Sequence, residues 1–249
     1  MHTDQDNNFT IVIPTYREAK NIPDLLKRIA SVNFHNRSFE VLLVDDNSQD
    51  GTEEIVDQLS TVYPWVRVIV RSNERNLSES VIDGFKNAQY PIVVTMDADL
   101  SHPPEKIPEM LAVLAEPGVD IVIGSRYVAG GSTDYYWPRS RKAASWLAAL
   151  IARYLLSANA KDPLSGFLAI RKKTFFSAEQ LNPIGWKIGL EIMIKCHCKN
   201  IREVPIHFAQ RRYGSSKLNF RISIDYLTHV FRLMSYKLIH LNSDGNKTQ

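Results

Sequence analysis

Two hydrophobic rhythms share the first half of the chain. The stretches 9–13, 39–44, 66–70, 92–96 and 121–123 are nearly continuously apolar and rich in Val and Ile, as strands buried on both faces are. Between them, apolar residues recur at helical spacing over about 18–31, 51–62, 77–88 and 104–115. Pro103-Pro104 opens the last of these, since proline is tolerated in the first turn of a helix. Strand and helix in alternation predict an α/β fold, a mostly parallel sheet with right-handed crossovers and helices on its faces.

After Gly124 the pattern changes. Gly130-Gly131-Ser132-Thr133 reads as a loop. A helix is expected over about 140–157, with Trp146, Leu147, Leu150, Ile151, Tyr154 and Leu155 apolar and Arg141, Lys142 and Arg153 basic, just after Arg139. A second, about 222–240 within a C-terminal unit of 219–241, pairs Ile224, Leu227, Phe231 and other apolar residues with Arg232 and Lys237. Each fits either a core-facing amphipathic helix or one lying in a membrane interface. The polar tail 242–249 is expected to be disordered.

Composition narrows the classes. The 249 residues suit one large α/β domain, or one domain with a small appendage. A net charge of +3 and the lack of a basic arm argue against a nucleic-acid partner. Cys196 and Cys198 flank His197 in an expected helix, where three consecutive residues share no face, so they read as inert rather than as metal ligands. So little cysteine suits a reducing compartment. Residues 1–8 do not read as a signal peptide, and no run of 18 apolar residues offers a membrane span.

The chemistry gathers where strands end. The fourth strand runs into Asp97-Ala98-Asp99, and two carboxylates leaving a buried strand together invite a hard cation between them, with substrate phosphates completing its shell. The other strand ends carry Pro14-Thr15-Tyr16-Arg17-Glu18, Val44-Asp45-Asp46-Asn47-Ser48 and Gly124-Ser125-Arg126-Tyr127. In a parallel sheet all four clusters share the edge where ligands of open α/β sheets bind. Such residues also build ordinary turns and helix caps. No Gly-x-Gly-x-x-Gly follows the first strand, which disfavours a dinucleotide-binding dehydrogenase.

These segments, with Asp97-Ala98-Asp99-Leu100-Ser101-His102-Pro103-Pro104, Asp162-Pro163-Leu164-Ser165-Gly166-Phe167, Glu203-Val204-Pro205-Ile206 and Arg211-Arg212-Tyr213-Gly214-Ser215-Ser216-Lys217-Leu218, stand in the order found in family 2 inverting glycosyltransferases of GT-A fold. The chain resembles their dolichyl- and polyprenol-phosphate mannosyltransferases over residues 9–218. The resemblance implies transfer of mannose from GDP-mannose to a polyprenol phosphate, dependent on Mg²⁺ or Mn²⁺. It implies nucleotide-sugar contacts from Pro14, Tyr16, Glu18, Val44, Asp46 and Ala98, and metal binding by Asp97 and Asp99. It further implies that Arg126 faces both phosphates, that Arg211 and Lys217 close over the diphosphate, and that Arg141 and Ser145 hold the lipid phosphate with Arg126.

Ser101 stands where certain relatives have Gln and is left out of the metal set. The stretch 75–80 lacks glycines often found there. The fused membrane helices of some relatives are missing, which leaves attachment to the two amphipathic helices or to a separate membrane partner, on the cytoplasmic side. The alternatives are transfer of glucose or another sugar, or a nucleotide-sugar sensor without turnover. A phosphate monoester acceptor is largely a dianion at pH 7 and needs no general base; Glu191 is the candidate if one is required, and otherwise caps or pairs within its helix.

Overall fold

The computed structural model describes residues 7–72, 75–134, 139–156, 159–178, 180–185, 187–212 and 220–245, with backbone alone for 139–142, 144, 220–223 and 240–245. A seven-stranded sheet forms its centre, in the order β3-β2-β1-β4-β7-β5-β8. The strands are β1 (Phe9–Thr15), β2 (Phe39–Asp45), β3 (Val66–Val70), β4 (Ile92–Thr95), β5 (Ile121–Ser125), β7 (Leu168–Arg171) and β8 (Ile201–Pro205). All run parallel except β7, which lies antiparallel between β4 and β5. A two-stranded ribbon pairs β6 (Ser132–Thr133) with β9 (His207–Phe208).

Alternate side chains of each strand feed two cores, as a period of two requires. Ile11 and Ile13 of β1 face one layer, with α1 (Ile22–Ala30), α2 (Thr52–Ser60) and α4 (Ile107–Leu114). Val12 faces the other, with α3 (Leu77–Asn87), α5 (Arg139–Leu156), α7 (Ile188–Lys195) and α8 (Phe220–Gly245); Phe175 of the one-turn α6 (Lys172–Phe175) joins it. Gly84 lets α3 lie close on β1: a Cβ there would stand 2.2 Å from Val12 Cγ1. At the start of α3, the Asn76 side chain accepts from the amides of Ser78 (3.1 Å) and Glu79 (3.4 Å), an N-cap that needs no glycine in the preceding stretch.

The expected sheet flanked by helices is present, and all five expected strands appear. Three differences stand out, the first that Ser132 and Thr133, expected within a loop, pair as β6 with β9. The polar tail does not begin at 242, because α8 continues to Gly245; a helix already nucleated adds residues at one hydrogen bond each without needing a core. The Cys-His-Cys run follows α7 rather than lying in it, with His197 in the left-handed region at φ 51°. Burial pushes both thiols up, Cys196 to about 12, so neither is a reactive thiolate.

Candidate active site

Six parallel strands point their carboxyl ends at one edge, ending at Thr15, Asp45, Val70, Thr95, Ser125 and Pro205. Because β7 runs the other way, the segment before it, 162–167, reaches the same edge. The four expected clusters therefore do meet.

Asp97 and Asp99 leave β4 through a strained turn. Leu100 has φ 65°, a left-handed conformation costing roughly 1–2 kcal/mol for a residue with a Cβ. That turn brings the Ser101 amide (3.1 Å) and hydroxyl (2.5 Å) onto Asp99 Oδ1, so Ser101 orients the acid. Asp99 Oδ2 meets Arg211 Nη2 at 2.9 Å. Asp97 keeps 40% of its side chain exposed. Its amide donates to His102 Nδ1 at 3.0 Å, which assigns the ring proton of that buried histidine to Nε2.

Burial raises the Asp97 pKa and the Asp99 charge raises it further, while Arg211 and Lys187 oppose. Glu18 is raised first by burial, with Asp99 and Asp97 adding to it and an Asn21 hydrogen bond opposing. Asp97 and Glu18, each raised in part by neighbouring carboxylates, favour a bound cation. Among the described residues no group of three His, Cys, Asp or Glu could hold an ion unaided. Two hard carboxylate donors fit a hard divalent cation that takes its remaining ligands from substrate and water.

Beyond β1 and β2 the polar residues are largely committed to one another. Asp45 accepts from Thr15 Oγ1 at 2.9 Å and from the Ser48 amide at 2.7 Å, while Ser48 Oγ takes the Arg17 amide at 2.8 Å. Asp46, expected on the nucleotide, pairs with buried Arg71 and accepts the Asn76 amide at 2.8 Å. Arg71 also holds Asp83 at 2.8 Å. Pro14 and Val44 pair across β1 and β2; Val44 is wholly buried and its side chain serves the core, as Ala98 does near Asp97. Tyr16 is half-buried, with the Arg75 guanidinium 3.7 Å from its ring centre. That cation–π contact places a flat cationic face beside the edge.

At the end of β5, Arg126 is not free to face phosphates with its whole fork. Nε and Nη2 each meet Asp162 at 2.7 Å, and the Arg126 amide donates to the same carboxylate at 3.0 Å. Burial lowers the Arg126 pKa, but the Asp162 bonds outweigh it and raise the pKa, so the buried pair stays charged. Glu203 accepts the Asp162 amide at 2.9 Å. Tyr127 donates to Ser145 Oγ on α5 at 2.9 Å, tying the strand end to that helix. Arg141 lies on the first turns of α5, described by its backbone, and Lys217 falls outside the described residues.

Sequence reasoning missed Asp162 as the partner of Arg126 and missed Lys187 altogether. Asp162 stood out only as the head of a recurring segment, which does not name its partner, and Lys187 only as a cation beside the apolar run of α7. Lys187 Nζ donates to the Leu164 carbonyl at 3.4 Å, and its charge faces Arg126, Asp162 and Asp97. Burial, with Arg126 adding to it, lowers its pKa to about 8. Glu191 is wholly buried and held by Lys195 (2.7 Å), His229 of α8 (3.0 Å) and the Asn182 amide (2.6 Å). Burial works to raise its pKa, but those bonds lower it, so it is a structural anion joining α7 to α8 rather than a base.

Comparison with known proteins places the geometry. The family model described as glycosyl transferase family 2 matches residues 10–176. The chain is 44% identical over 230 residues to a dolichol-phosphate mannosyltransferase of Pyrococcus furiosus, covering 92% of this chain and 64% of that protein. It is 37% identical over 238 residues to one of Saccharomyces cerevisiae, covering 92% and 88%. It is also 35% identical over 228 residues to an undecaprenyl-phosphate mannosyltransferase of Micrococcus luteus, covering 89% and 91%. The chain thus spans somewhat under two thirds of the Pyrococcus relative. Among solved structures, a mannosyltransferase from Pyrobaculum calidifontis in complex with GDP-Man and Mn²⁺ matches with a TM-score of 0.65 at 17% identity, over 93% of this chain and 64% of that one. Glucosyl-3-phosphoglycerate synthase from Mycobacterium tuberculosis matches with a TM-score of 0.65 at 18% identity, over 92% and 80%. At such identities the likeness is one of fold, the GT-A arrangement of a mostly parallel sheet.

Proposed function

This chain belongs to glycosyl transferase family 2, and on that premise we propose that it transfers mannose from GDP-mannose to a polyprenyl phosphate with inversion. One observation carries the reading: a carboxylate pair and several cations converge at the carboxyl edge of the sheet, while the nearby buried acids are already committed. Asp162 is bound to Arg126, and Glu191 to Lys195 and His229. Asp162 and Glu191 are therefore committed to cations rather than left in the role of a general base, which suits an acceptor that is itself an anion.

Asp97 and Asp99 are the residues that would hold Mg²⁺ or Mn²⁺, and the ion would supply Lewis-acid stabilisation to the departing diphosphate. Ser101 fixes the orientation of Asp99, and the Leu100 turn fixes Ser101. Arg211, now on Asp99, stands within reach of the diphosphate, where a guanidinium fork suits paired oxygens. In the transfer, an oxygen of the acceptor phosphate forms a bond to the anomeric carbon as the bond to the diphosphate oxygen breaks. The electron pair of that bond leaves with GDP, and no proton moves.

The acceptor would come from a lipid surface. Among the described residues no helix is long and apolar enough to cross a membrane. Instead α5 and α8 pack together, with Tyr226 donating to the Ala148 carbonyl at 2.5 Å and Lys237 to that of Leu156 at 2.9 Å. The pair exposes Trp146, Tyr154 and Leu155 of α5 and Ile224, Leu227 and Phe231 of α8, with Arg153 and Arg232 also exposed. Apolar rings beside arginines suit peripheral attachment at anionic headgroups.

The test is direct. Purified protein, Mn²⁺, mannose-labelled GDP-mannose and a polyprenyl phosphate are incubated and extracted with organic solvent. Label in the organic phase, lost with EDTA, is expected. Label that stays aqueous with GDP-mannose but moves with UDP-glucose would overturn the donor assignment.

A further inference from the structure

Lys187 stands at the entry to α7, its ammonium on the Leu164 carbonyl at 3.4 Å. Among the described residues no carboxylate lies within 4.0 Å of that ammonium, and its field is shared among Arg126, Asp162 and Asp97. The neighbouring cation is different. Arg126 is neutralised by a bidentate Asp162 that is itself wholly buried. Arg211 is likewise matched by Asp99. A lysine with no carboxylate partner, beside a neutralised pair, is charge placed for something that arrives later.

Arg126, which Lys187 faces, is joined through Tyr127 to Ser145 of α5, the helix that carries exposed Trp146 and Leu147. Arg211 instead meets Asp99 from the loop after β9.

We propose that Lys187 is a further catalytic residue, its ammonium binding the phosphate of the polyprenyl acceptor between Asp97 and the Arg126–Asp162 pair. This rests on the acceptor assignment made above. A phosphate monoester at neutral pH carries close to two negative charges, and beside Asp97 it needs a compact cation not already matched. The Leu164 carbonyl holds the ammonium in place without cancelling its charge.

Lys187→Met and Lys187→Arg separate this from a donor-binding or purely structural role. Steady-state transfer is measured against a short-chain polyprenyl phosphate in detergent, and Mn²⁺–GDP affinity by titration calorimetry. For Lys187→Met, kcat/KM for the acceptor is expected to fall on the order of 100-fold, as when one partner of a buried charged contact is removed. The affinity for Mn²⁺–GDP is expected to change less than about threefold, which also reports that the variant is folded. Lys187→Arg, keeping the charge, is expected to recover a large part of the loss. The assignment is overturned if Lys187→Met transfers like wild type, if GDP affinity falls as far as transfer, or if arginine restores nothing. A wild type that binds Mn²⁺–GDP yet mannosylates no polyprenyl phosphate would instead sink the functional reading.

Discussion

Replacing Glu191 by Gln separates architecture from chemistry at the junction of α7 and α8. Three donors converge on the buried carboxylate: Lys195 Nζ (2.7 Å) and the Asn182 amide (2.6 Å) on Oε1, and His229 Nε2 (3.0 Å) on Oε2. Glutamine keeps a single acceptor oxygen. If that oxygen faces Lys195 and Asn182, the new NH₂ confronts His229 Nε2, which must then accept and move its proton to Nδ1, a buried atom without a partner. The opposite rotamer points the NH₂ at an ammonium. Either way a buried donor goes unsatisfied, and breaking a buried charged pair costs about 3–5 kcal/mol. Lys195 retains the Gln180 carbonyl at 2.7 Å and keeps 12% exposure, which puts the loss near the lower end, about 3 kcal/mol. For a chain of this size the thermal midpoint should fall by about 6–12 °C.

Calorimetric melting of wild type and variant measures that fall, and transfer assayed well below the midpoint measures the chemistry. The expected turnover lies within about twofold of wild type, with an unaltered pH–rate profile. The stability difference should itself depend on pH. Hydrogen bonds hold the Glu191 pKa below its ordinary value of 4.5 despite burial, so its contribution is complete above 4.5 and fades as pH falls through the lower folded value. Wild type and variant should converge in acid. An unshifted midpoint together with a lost limb of the pH–rate profile would instead make Glu191 the base.

Asp97→Asn should lower kcat by on the order of 10²–10³ while the protein melts normally, since the residue is partly exposed and its loss falls on the leaving group; near-normal turnover would remove the cation from the scheme. Asp162→Asn should orphan the Arg126 guanidinium at a cost of about 3–5 kcal/mol, seen as a midpoint lowered by at least about 6 °C. A stable Asp162→Asn enzyme would mean that the pair contributes little. Leu227→Glu with Phe231→Glu, both on the exposed face of α8, should weaken sedimentation with phosphatidylglycerol vesicles at least about 100-fold. Transfer to a short-chain acceptor in detergent should survive, and unchanged vesicle binding would place the lipid contact elsewhere.

How much of this could be read from residues alone depends on range. β1 to β5 were legible because each is an apolar run bounded by polar turns. β8 carries Arg202, Glu203 and Pro205 at the sheet edge and so shows no apolar run. Asp97 and Asp99 were legible because their spacing at a strand end is a local pattern. The partners of Arg126 and Asp46 were not. Asp162 is 36 positions from Arg126 and Arg71 is 25 from Asp46, and nothing local says which cation a buried acid will meet. Lys187 was invisible for the same reason: its meaning lies in Leu164, Arg126 and Asp97, which the sheet brings to it.

The Arg211–Asp99 contact has a thermodynamic corollary. A divalent ion arriving on its own would have to evict a guanidinium from the very oxygen it seeks, and so would forfeit part of its affinity. An ion arriving with a nucleotide would offer the displaced arginine a diphosphate in exchange. By reciprocity each visitor would then strengthen the other's hold, and on the proposed function the protein would ignore stray cations until the sugar donor is there to share them.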